Sequence, residues 1–474
     1  MRTLEVVIVL LNLFALAALV IPFFRQFGRL RFLPAVIAGI TLVHLVVEQY
    51  RWQMVPSYVM TAALFLFTLP NLLKGTVASL GGVRAALTGG VGLPLWLIAA
   101  VLPIILPVPR PPTPPGPYAI GSVIYDWTDT ARAETYSSNP NDKRELVVQV
   151  WYPAQVDAQA RTIPYLDNPA VAIPALAKLS KLPAFALGHL GLVETHSYQD
   201  VPVRNDGAPY PIVIYSHGYT GYRTASFAQM EALASSGYIA VAIDHTYAAA
   251  FTIFPDGRVA VNNPAMLPGA GGTQPGDQEL REKAAAIAVA DQRFVMDQLE
   301  QLNAGKLDSR FAGKLDLQRI GLTGVSYGAA MVWTCHLDAR CKAGLTQDGW
   351  YEPFPEAIVA EPLRQPFMFM QSETQMWKMD NLARLDKMYQ RVNAPAYHIK
   401  FAGVLHQDFG DYPLLTPLTG VLTERGTLNG ERTVKMIDAY ILAFFDKYLK
   451  NQPAPLLDGP SRDYPEARFE SHGP

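Results

Sequence analysis

The sequence contains little cysteine and little charge, and neither charge sign predominates. Its 474 residues include two cysteines, 17% charged residues and a formal net charge of −2. Two cysteines exclude a disulfide-rich scaffold and a cysteine-rich zinc site. The absence of a basic excess excludes nucleic acid as a partner, and low charge combined with 11% aromatic residues excludes a disordered chain. The length suits two to three domains of roughly 150 residues each.

Charge and hydrophobicity are divided unevenly along the chain. Residues 1–110 carry a net charge of +6, whereas residues 111–474 carry −8. The basic part holds four apolar stretches, at 4–24, 32–49, 57–73 and 91–108. A bilayer is crossed by about 20 apolar residues, so we predict a transmembrane helical region over 1–110 with about four spans. The alternative is three spans with one segment lying in the membrane interface. A cleaved signal peptide is a poor interpretation of the first stretch, because further spans follow it.

Basic residues in the short loops predict the orientation. Lys and Arg favour the cytoplasmic side, and five of them follow the first and third spans: Arg25, Arg29, Arg31, Lys74 and Arg84. Both ends of a four-span bundle would then lie outside. We therefore expect a multi-pass membrane protein whose large body is extracytoplasmic, in the periplasm of a bacterium. A proline-rich linker at 111–117 would act as a semi-rigid spacer before this body.

Residues 118–450 alternate between strand and helix patterns. We predict strands at 145–152, 211–216, 238–244, 319–325, 342–347, 366–372 and 396–402, of which 211–216 is a continuous apolar run. Helical spacing predicts helices near 224–236, 278–302 and 432–449. This alternation indicates a mainly parallel sheet covered by helices. Segment 168–195 is apolar and fits either a packed cap or an interfacial helix. The proline-rich tail 451–474 is expected to lie loosely on the surface.

One pentapeptide points to a nucleophile. Residues 324–328 read Gly-Val-Ser-Tyr-Gly, with a predicted strand before them and a small-residue helix after them. This is the G-x-S-x-G elbow, in which a sharp strand-to-helix turn exposes the serine. Because a serine hydroxyl needs a neighbouring base, the pattern predicts Ser326 as a nucleophile with a histidine partner.

His406 is the predicted base. The acid and then the base follow the nucleophile along the chain in this arrangement. His406 lies in a loop after the last predicted strand, whereas His336 lies in a helix and His398 in a strand. A metal site built on His406 with Asp408 and Asp411 lacks a further histidine at ligand spacing, so no metal is expected.

The acid has two candidates at this stage. Asp348 and Glu373 each follow a predicted strand at the edge where the catalytic loops gather, and spacing leaves both open. The backbone N–H groups of Tyr219 and Tyr327 are the candidate oxyanion donors, because one follows the first catalytic-side strand and the other follows the nucleophile.

Three other features have alternative interpretations. His217 precedes the nucleophile, which is the wrong order for the base, so a structural or substrate-binding role is expected. Trp350 is predicted to line the substrate pocket, with core filling as the alternative. Cys335 and Cys341 are close enough in sequence to form a disulfide, but two buried thiols fit equally well.

At these motifs the body resembles the α/β-hydrolases of the plasma-type platelet-activating-factor acetylhydrolase family, which includes bacterial relatives. The matching stretches are GPYAIG (116–121), VQVWYPA (148–154), PIVIYSHGYTGYRT (211–224), GYIAVAIDH (237–245), RIGLTGVSYGAA (319–330), GLTQDGW (344–350), FMFMQSE (367–373) and GVLHQDF (403–409). The resemblance implies Asp348 as the acid in preference to Glu373, and the Tyr219 and Tyr327 amides as the oxyanion hole. It also implies hydrolysis of short or oxidised acyl esters of phospholipids without a cofactor. Relatives often have GHSFG at the elbow, and the animal enzymes lack the four-span region.

The sequence therefore predicts a membrane-anchored serine ester hydrolase with an α/β-hydrolase fold after a transmembrane bundle. Its expected partners are an ester or phospholipid substrate and membrane lipids. A broad carboxylesterase or polyester-type hydrolase is one alternative, and a non-enzymatic membrane binding protein is another.

Overall fold

The computed structural model describes residues 1–267, 277–418 and 425–473. The chain divides into two compact units. The helical unit comprises Met1–Pro109 with Ser180–Val193 and Leu415–Leu418. The sheet unit comprises Arg110–Leu179, Glu194–Leu414 and Thr419–Pro474.

Four long helices form the helical unit: α1 (Thr3–Val20), α2 (Leu33–Val47), α3 (Val55–Leu73) and α4 (Gly82–Ile105). With the turns that precede two of them, all four are long and apolar enough to cross a membrane. Helix α4 begins nine residues before the predicted fourth stretch, because the glycines there are accommodated within the helix. A Cβ atom at Gly92 would lie 2.8 Å from Leu16, so its lack of a side chain permits close packing against α1.

Two pairs of buried polar side chains lie inside the helical unit. Glu5 of α1 and Arg51 are both buried and form an ion pair with 2.6 Å between Oε2 and Nη2. Deeper in the unit, the Asn12 amide donates to the Thr61 hydroxyl at 3.0 Å. A buried charge or amide is expensive unless it is bonded, so these pairs stabilise the contact of α1 with α3 and with Arg51.

Segment 168–195, predicted as a cap or an interfacial helix, divides between the two units. Helix α5 (Pro169–Leu179) belongs to the sheet unit, whereas Ser180–Val193 belongs to the helical unit. There the Trp52 indole donates to the Ala186 carbonyl at 3.3 Å, and its ring meets Phe185 edge to face.

An eleven-stranded sheet forms the centre of the sheet unit. Its strands are β1 (Ala119–Ala133), β2 (Lys143–Ala154), β3 (Thr162–Pro164), β4 (Glu194–Gln199), β5 (Tyr210–Ser216), β6 (Ile239–Asp244), β9 (Leu315–Val325), β10 (Cys341–Gln347), β11 (Phe367–Gln371), β12 (Ala396–Phe401) and β13 (Ala467–His472). Strands β7 (Phe251–Ile253) and β8 (Val259–Val261) form a separate hairpin. The sheet order is β13-β12-β11-β10-β9-β5-β6-β2-β1-β4-β3.

The six central strands, from β12 to β6 in that order, are parallel. Strands β5 and β6 are buried along their whole length, because helices cover both sheet faces. The helices around the sheet are α6 (Phe227–Ser235), α7 (Asp277–Asn303), α8 (Met331–Leu337), α9 (Glu356–Ala360), α10 (Met379–Tyr389) and α11 (Gly430–Leu449). The predicted mainly parallel α/β sheet is confirmed. Parallel strands place their carboxyl ends at one edge, which gathers the loops after β5, β6, β9, β10 and β12.

The structure decides two further points about the sheet unit. The prediction that 451–474 lies loosely on the surface is wrong for β13, which pairs antiparallel with β12 through six residue pairs. Backbone hydrogen bonding to an otherwise open sheet edge outweighs the polar composition of this segment. Cys335 and Cys341, for which the sequence left two possibilities open, form a disulfide between α8 and the start of β10.

Candidate active site

Ser326 occupies a strained turn directly after β9. Its φ angle is +54°, in the left-handed region that non-glycine residues rarely adopt. The two glycines of the motif allow the chain to approach itself closely. A Cβ at Gly324 would lie 2.3 Å from the Gly328 carbonyl oxygen, and one at Gly328 would lie 2.1 Å from the Ser216 carbonyl oxygen. The half-buried Ser326 is thereby presented at the carboxyl edge of the sheet.

His406 and Asp348 form a short hydrogen bond at the same edge. The distance between His406 Nδ1 and Asp348 Oδ2 is 2.6 Å, and both side chains are buried. Asp348 directly follows β10, and His406 begins a short helical turn after β12. Since the carboxylate accepts the Nδ1 proton, the neutral imidazole has its acceptor at Nε2.

Asp348 accepts two further hydrogen bonds. The Ser372 amide donates to Oδ1 at 2.9 Å, and the Trp377 indole donates to Oδ2 at 2.8 Å. The Trp377 ring also packs edge to face on His406, with 5.0 Å between ring centroids. Three donors therefore fix the carboxylate and the imidazole together. Sequence reasoning missed Trp377 in this position, and its only signal is an aromatic residue in the loop after a catalytic-side strand.

The other candidates occupy different positions. Glu373 accepts from the Gly403 amide at 2.8 Å, so it braces the loop after β12 and has no contact with His406 among the described hydrogen bonds. His398 is bonded to Gln371 within the sheet at 2.8 Å, and His336 lies in α8. Of the two carboxylates that spacing left open, the structure brings Asp348 to His406.

The loop after β5 lies against Ser326. A Cβ at Gly218 would lie 3.3 Å from Ser326 Cβ and 3.9 Å from its Oγ, so the glycine leaves this space open. The Gly218 carbonyl accepts from the Gly221 amide at 2.8 Å, and the Thr220 amide donates to Ala248 at 2.9 Å. These bonds hold the backbone around Tyr219 in a tight turn beside Ser326.

The side chains of Tyr219, which is half-buried, and Tyr327, which is buried, pack beside each other. Their rings are 6.2 Å apart, and the Tyr327 hydroxyl donates to the Ala284 carbonyl at 2.7 Å. Any oxyanion role for these two residues therefore belongs to the backbone N–H groups, as the sequence predicts.

His217 is completely buried beneath the same loop. Its Nδ1 donates to the Gly218 carbonyl at 2.7 Å, and its Nε2 accepts from the His245 amide at 3.1 Å. Burial, with repulsion from His245, lowers the pKa of His217 to about 3, so the ring is neutral. The expected substrate-binding role does not fit this position, because both ring nitrogens are bonded within the protein. His217 supports the loop.

Trp350 connects the loop that carries Asp348 to Ser326. Its backbone amide donates to the Ser326 carbonyl at 3.0 Å, two residues after Asp348. The half-buried indole packs against an apolar cluster that contains Tyr327, with Tyr219 also packed on that cluster. The loops that carry Gly218, Ser326, Asp348 and His406 are thus linked by direct contacts at one sheet edge.

Comparisons with known proteins identify the family of this chain. The profile of the family described as platelet-activating factor acetylhydrolase, isoform II, matches residues 109–455, more than half of the chain. The platelet-activating factor acetylhydrolase of Canis lupus familiaris is 25% identical over 72% of this chain and 77% of its own length. A probable 1-alkyl-2-acetylglycerophosphocholine esterase of Arthroderma benhamiae is 26% identical over 76% of this chain and 93% of its own length.

A solved structure shows the same architecture. A ferulic acid esterase from Streptomyces cinnamoneus superposes with a TM-score of 0.62 at 25% sequence identity, covering 76% of this chain and 99% of that protein. The predicted α/β-hydrolase fold and the predicted family are confirmed. The chain belongs to the platelet-activating factor acetylhydrolase, isoform II, family, and it is a carboxylic ester hydrolase.

Proposed function

We propose that this chain is a membrane-anchored serine hydrolase that cleaves short-chain or oxidised acyl esters, with phospholipids as its principal substrate class. The single observation that carries the proposal is the 2.6 Å bond between His406 and Asp348 beside the strained Ser326 elbow. Nucleophile, acid and base follow each other along the chain in the order expected for this fold.

The reaction proceeds through an acyl-enzyme. His406 Nε2 takes the proton of Ser326 as Oγ attacks the ester carbonyl, and it returns that proton to the departing alcohol. Water then attacks the acyl-Ser326 ester with His406 again as the base, which releases the acid and the free serine. Asp348 holds the imidazole tautomer and stabilises its cationic form, and its own bonds from Ser372 and Trp377 keep it in place.

Two backbone amides stabilise the negative charge of the tetrahedral intermediates. The Tyr327 N–H directly follows the nucleophile, and the Tyr219 N–H lies in the loop that contacts Ser326 through Gly218. Preorganised donors of this kind contribute roughly 10²–10³ in kcat each. Trp350, beside them, forms part of the wall that receives the acyl group.

The relatives support the substrate class. The mammalian relative is named a platelet-activating factor acetylhydrolase, and the fungal one is named a probable 1-alkyl-2-acetylglycerophosphocholine esterase. The four apolar helices would keep the enzyme at a lipid surface. A broad carboxylesterase acting on non-lipid esters is the second candidate. It is favoured by the ferulic acid esterase likeness and by the aromatic residues on the cluster beside Ser326.

The orientation of the body is part of the proposal. Basic loops after the first and third helices favour an extracytoplasmic sheet unit, and the Cys335–Cys341 disulfide suits an oxidising compartment. A membrane-impermeant thiol reagent applied to spheroplasts should label a cysteine placed at the exposed Ser138. Labelling only after lysis would place the body in the cytoplasm.

Fluorophosphonate labelling tests the mechanism. The full-length wild type should be labelled, and Ser326→Ala should lose the label while retaining its thermal midpoint. An unlabelled but folded wild type would refute the serine hydrolase mechanism. Side-by-side assays should then compare short-chain phosphatidylcholine vesicles, p-nitrophenyl esters and methyl ferulate. A kcat/KM for ferulate above that for phospholipid would favour the broad carboxylesterase.

A further inference from the structure

A buried network of charged and polar groups lies beneath the loop that carries Tyr219, and the proposed mechanism does not use it. Asp291 of α7 accepts two bonds from Arg144, at 2.6 and 3.0 Å, and one from His245 at 3.0 Å. All three side chains are at most 3% exposed. Burial opposes ionisation of Asp291, but the Arg144 charge prevails and holds its pKa far below the usual range.

The bonding pattern assigns one proton arrangement to this network. Since ionised Asp291 can only accept, His245 donates from Nδ1, and its Nε2 accepts from the Ser216 hydroxyl at 3.0 Å. The Ser216 oxygen in turn accepts from the Gln292 amide at 2.8 Å. The His245 ring is thereby held by α7 on one side and by the end of β5 on the other.

The backbone of His245 connects this network to the loop that carries Tyr219. Its amide donates to His217 Nε2 at 3.1 Å, which leaves His217 Nδ1 as the donor to the Gly218 carbonyl at 2.7 Å. Every donor and acceptor along the path from Asp291 to Gly218 then has a partner. Such fully satisfied buried networks are rigid.

The last bond in the path sets the direction of the candidate oxyanion donor. The Gly218 carbonyl and the Tyr219 N–H belong to one peptide unit, which is planar and trans, so they point in opposite directions. The Gly218 carbonyl is held between His217 and the Gly221 amide. The Tyr219 N–H therefore points away from these two groups, and it belongs to the peptide unit next to Ser326. Rotation of this one peptide would turn the donor away.

We propose that the Asp291–His245–His217 network is a positioning device that orients the Tyr219 N–H toward the reaction's oxyanion, with His217 and His245 as positioning residues. This inference rests on the proposed function. It assigns no proton transfer to either histidine, since neither has a free ring nitrogen to offer a substrate.

Variants of His217 test the proposal on the full-length protein in detergent. His217→Phe removes both ring bonds, whereas in His217→Asn the amide nitrogen replaces Nδ1 as the donor to Gly218. We expect kcat/KM for p-nitrophenyl butyrate to fall about 10- to 100-fold in His217→Phe and less in His217→Asn, with KM nearly unchanged. His398→Asn, a matched loss of a ring bond within the sheet, should stay within about twofold of wild type.

Affinity for a trifluoromethyl ketone separates positioning from general structural damage. This inhibitor forms a tetrahedral adduct with the nucleophile, so its Ki should rise by the same factor as kcat/KM falls. A Ki within about twofold of wild type in folded His217→Phe would overturn the proposal. An unlabelled, inactive wild type would instead refute the proposed function, and with it this inference.

A double-mutant cycle tests whether His245 acts through His217. His245→Leu should reduce kcat/KM in the wild type but have little further effect in His217→Phe, because both act on the same peptide. Should His245→Leu fail to fold, His245→Asn keeps a donor for Asp291 and loses only the Ser216 bond. Additive losses in either cycle would contradict the proposed path.

Discussion

Replacing Asp348 by asparagine should abolish most activity while leaving the fold intact. The carboxylate accepts from Ser372 N through Oδ1 and from both Trp377 Nε1 and His406 Nδ1 through Oδ2. An asparagine has one acceptor oxygen and one NH2 group. If the oxygen replaces Oδ2, the NH2 group faces the Ser372 N–H, and if the two exchange places, the NH2 group faces Trp377 and His406.

The second arrangement forces His406 into the opposite tautomer, with a proton on Nε2, so that it cannot accept the Ser326 proton. The first leaves a buried donor unpaired, at a free energy of about 1–3 kcal/mol. In both arrangements the charge that stabilises the imidazolium is also lost. We therefore expect kcat to fall roughly 10³- to 10⁴-fold, with KM changing little.

The assay is hydrolysis of p-nitrophenyl butyrate by Asp348→Asn, with Glu373→Gln as the matched control. Glu373 braces the loop after β12 through the Gly403 amide, so its amide variant should keep activity within about threefold of wild type. Thermal midpoints establish that both variants fold. Activity of Asp348→Asn above one-tenth of wild type, or an equal loss in Glu373→Gln, would refute this assignment of the acid.

Three further changes have expected outcomes. Gly218→Ala should slow fluorophosphonate labelling about 10- to 100-fold, because the new Cβ lies 3.3 Å from Ser326 Cβ beside the oxyanion loop, and unchanged labelling would contradict the packing. Replacing Cys335 and Cys341 together by serine should lower the free energy of unfolding by about 2 kcal/mol for so short a loop, and urea denaturation should find the same loss in reduced wild type. Because the folded-state pKa of His217 is lowered to about 3, its contribution to stability is present above about pH 6.5 and is lost as the pH falls toward 3. His217→Gln should therefore flatten the decline of unfolding free energy across that range, and an unaltered slope would show that His217 is not neutral in the fold.

Local sequence signals predicted the sheet strands and the turn at Ser326 well. The apolar run at 211–216 lies within β5, because a strand buried on both faces needs continuous apolar residues. The elbow at Ser326 was predictable for a similar reason, since its turn needs glycines at two fixed positions. The tail was not predictable, because the pairing of β13 with β12 depends on which sheet edge remains open.

The amino-acid sequence by itself determined the chemistry available to this protein: a division into an apolar, basic first part and an acidic body, an alternation of strands and helices, and Ser326 and His406 in catalytic order. Tertiary structure decided which groups meet. It brought Asp348 to His406, as the family resemblance implied, and placed Trp377 on Asp348. It also left His217 buried with its ring bonded to Gly218, which fits the structural role and not the substrate contact. The physical reason is that hydrogen bonds between residues far apart in sequence depend on the relative positions of whole strands, and no local pattern encodes those positions.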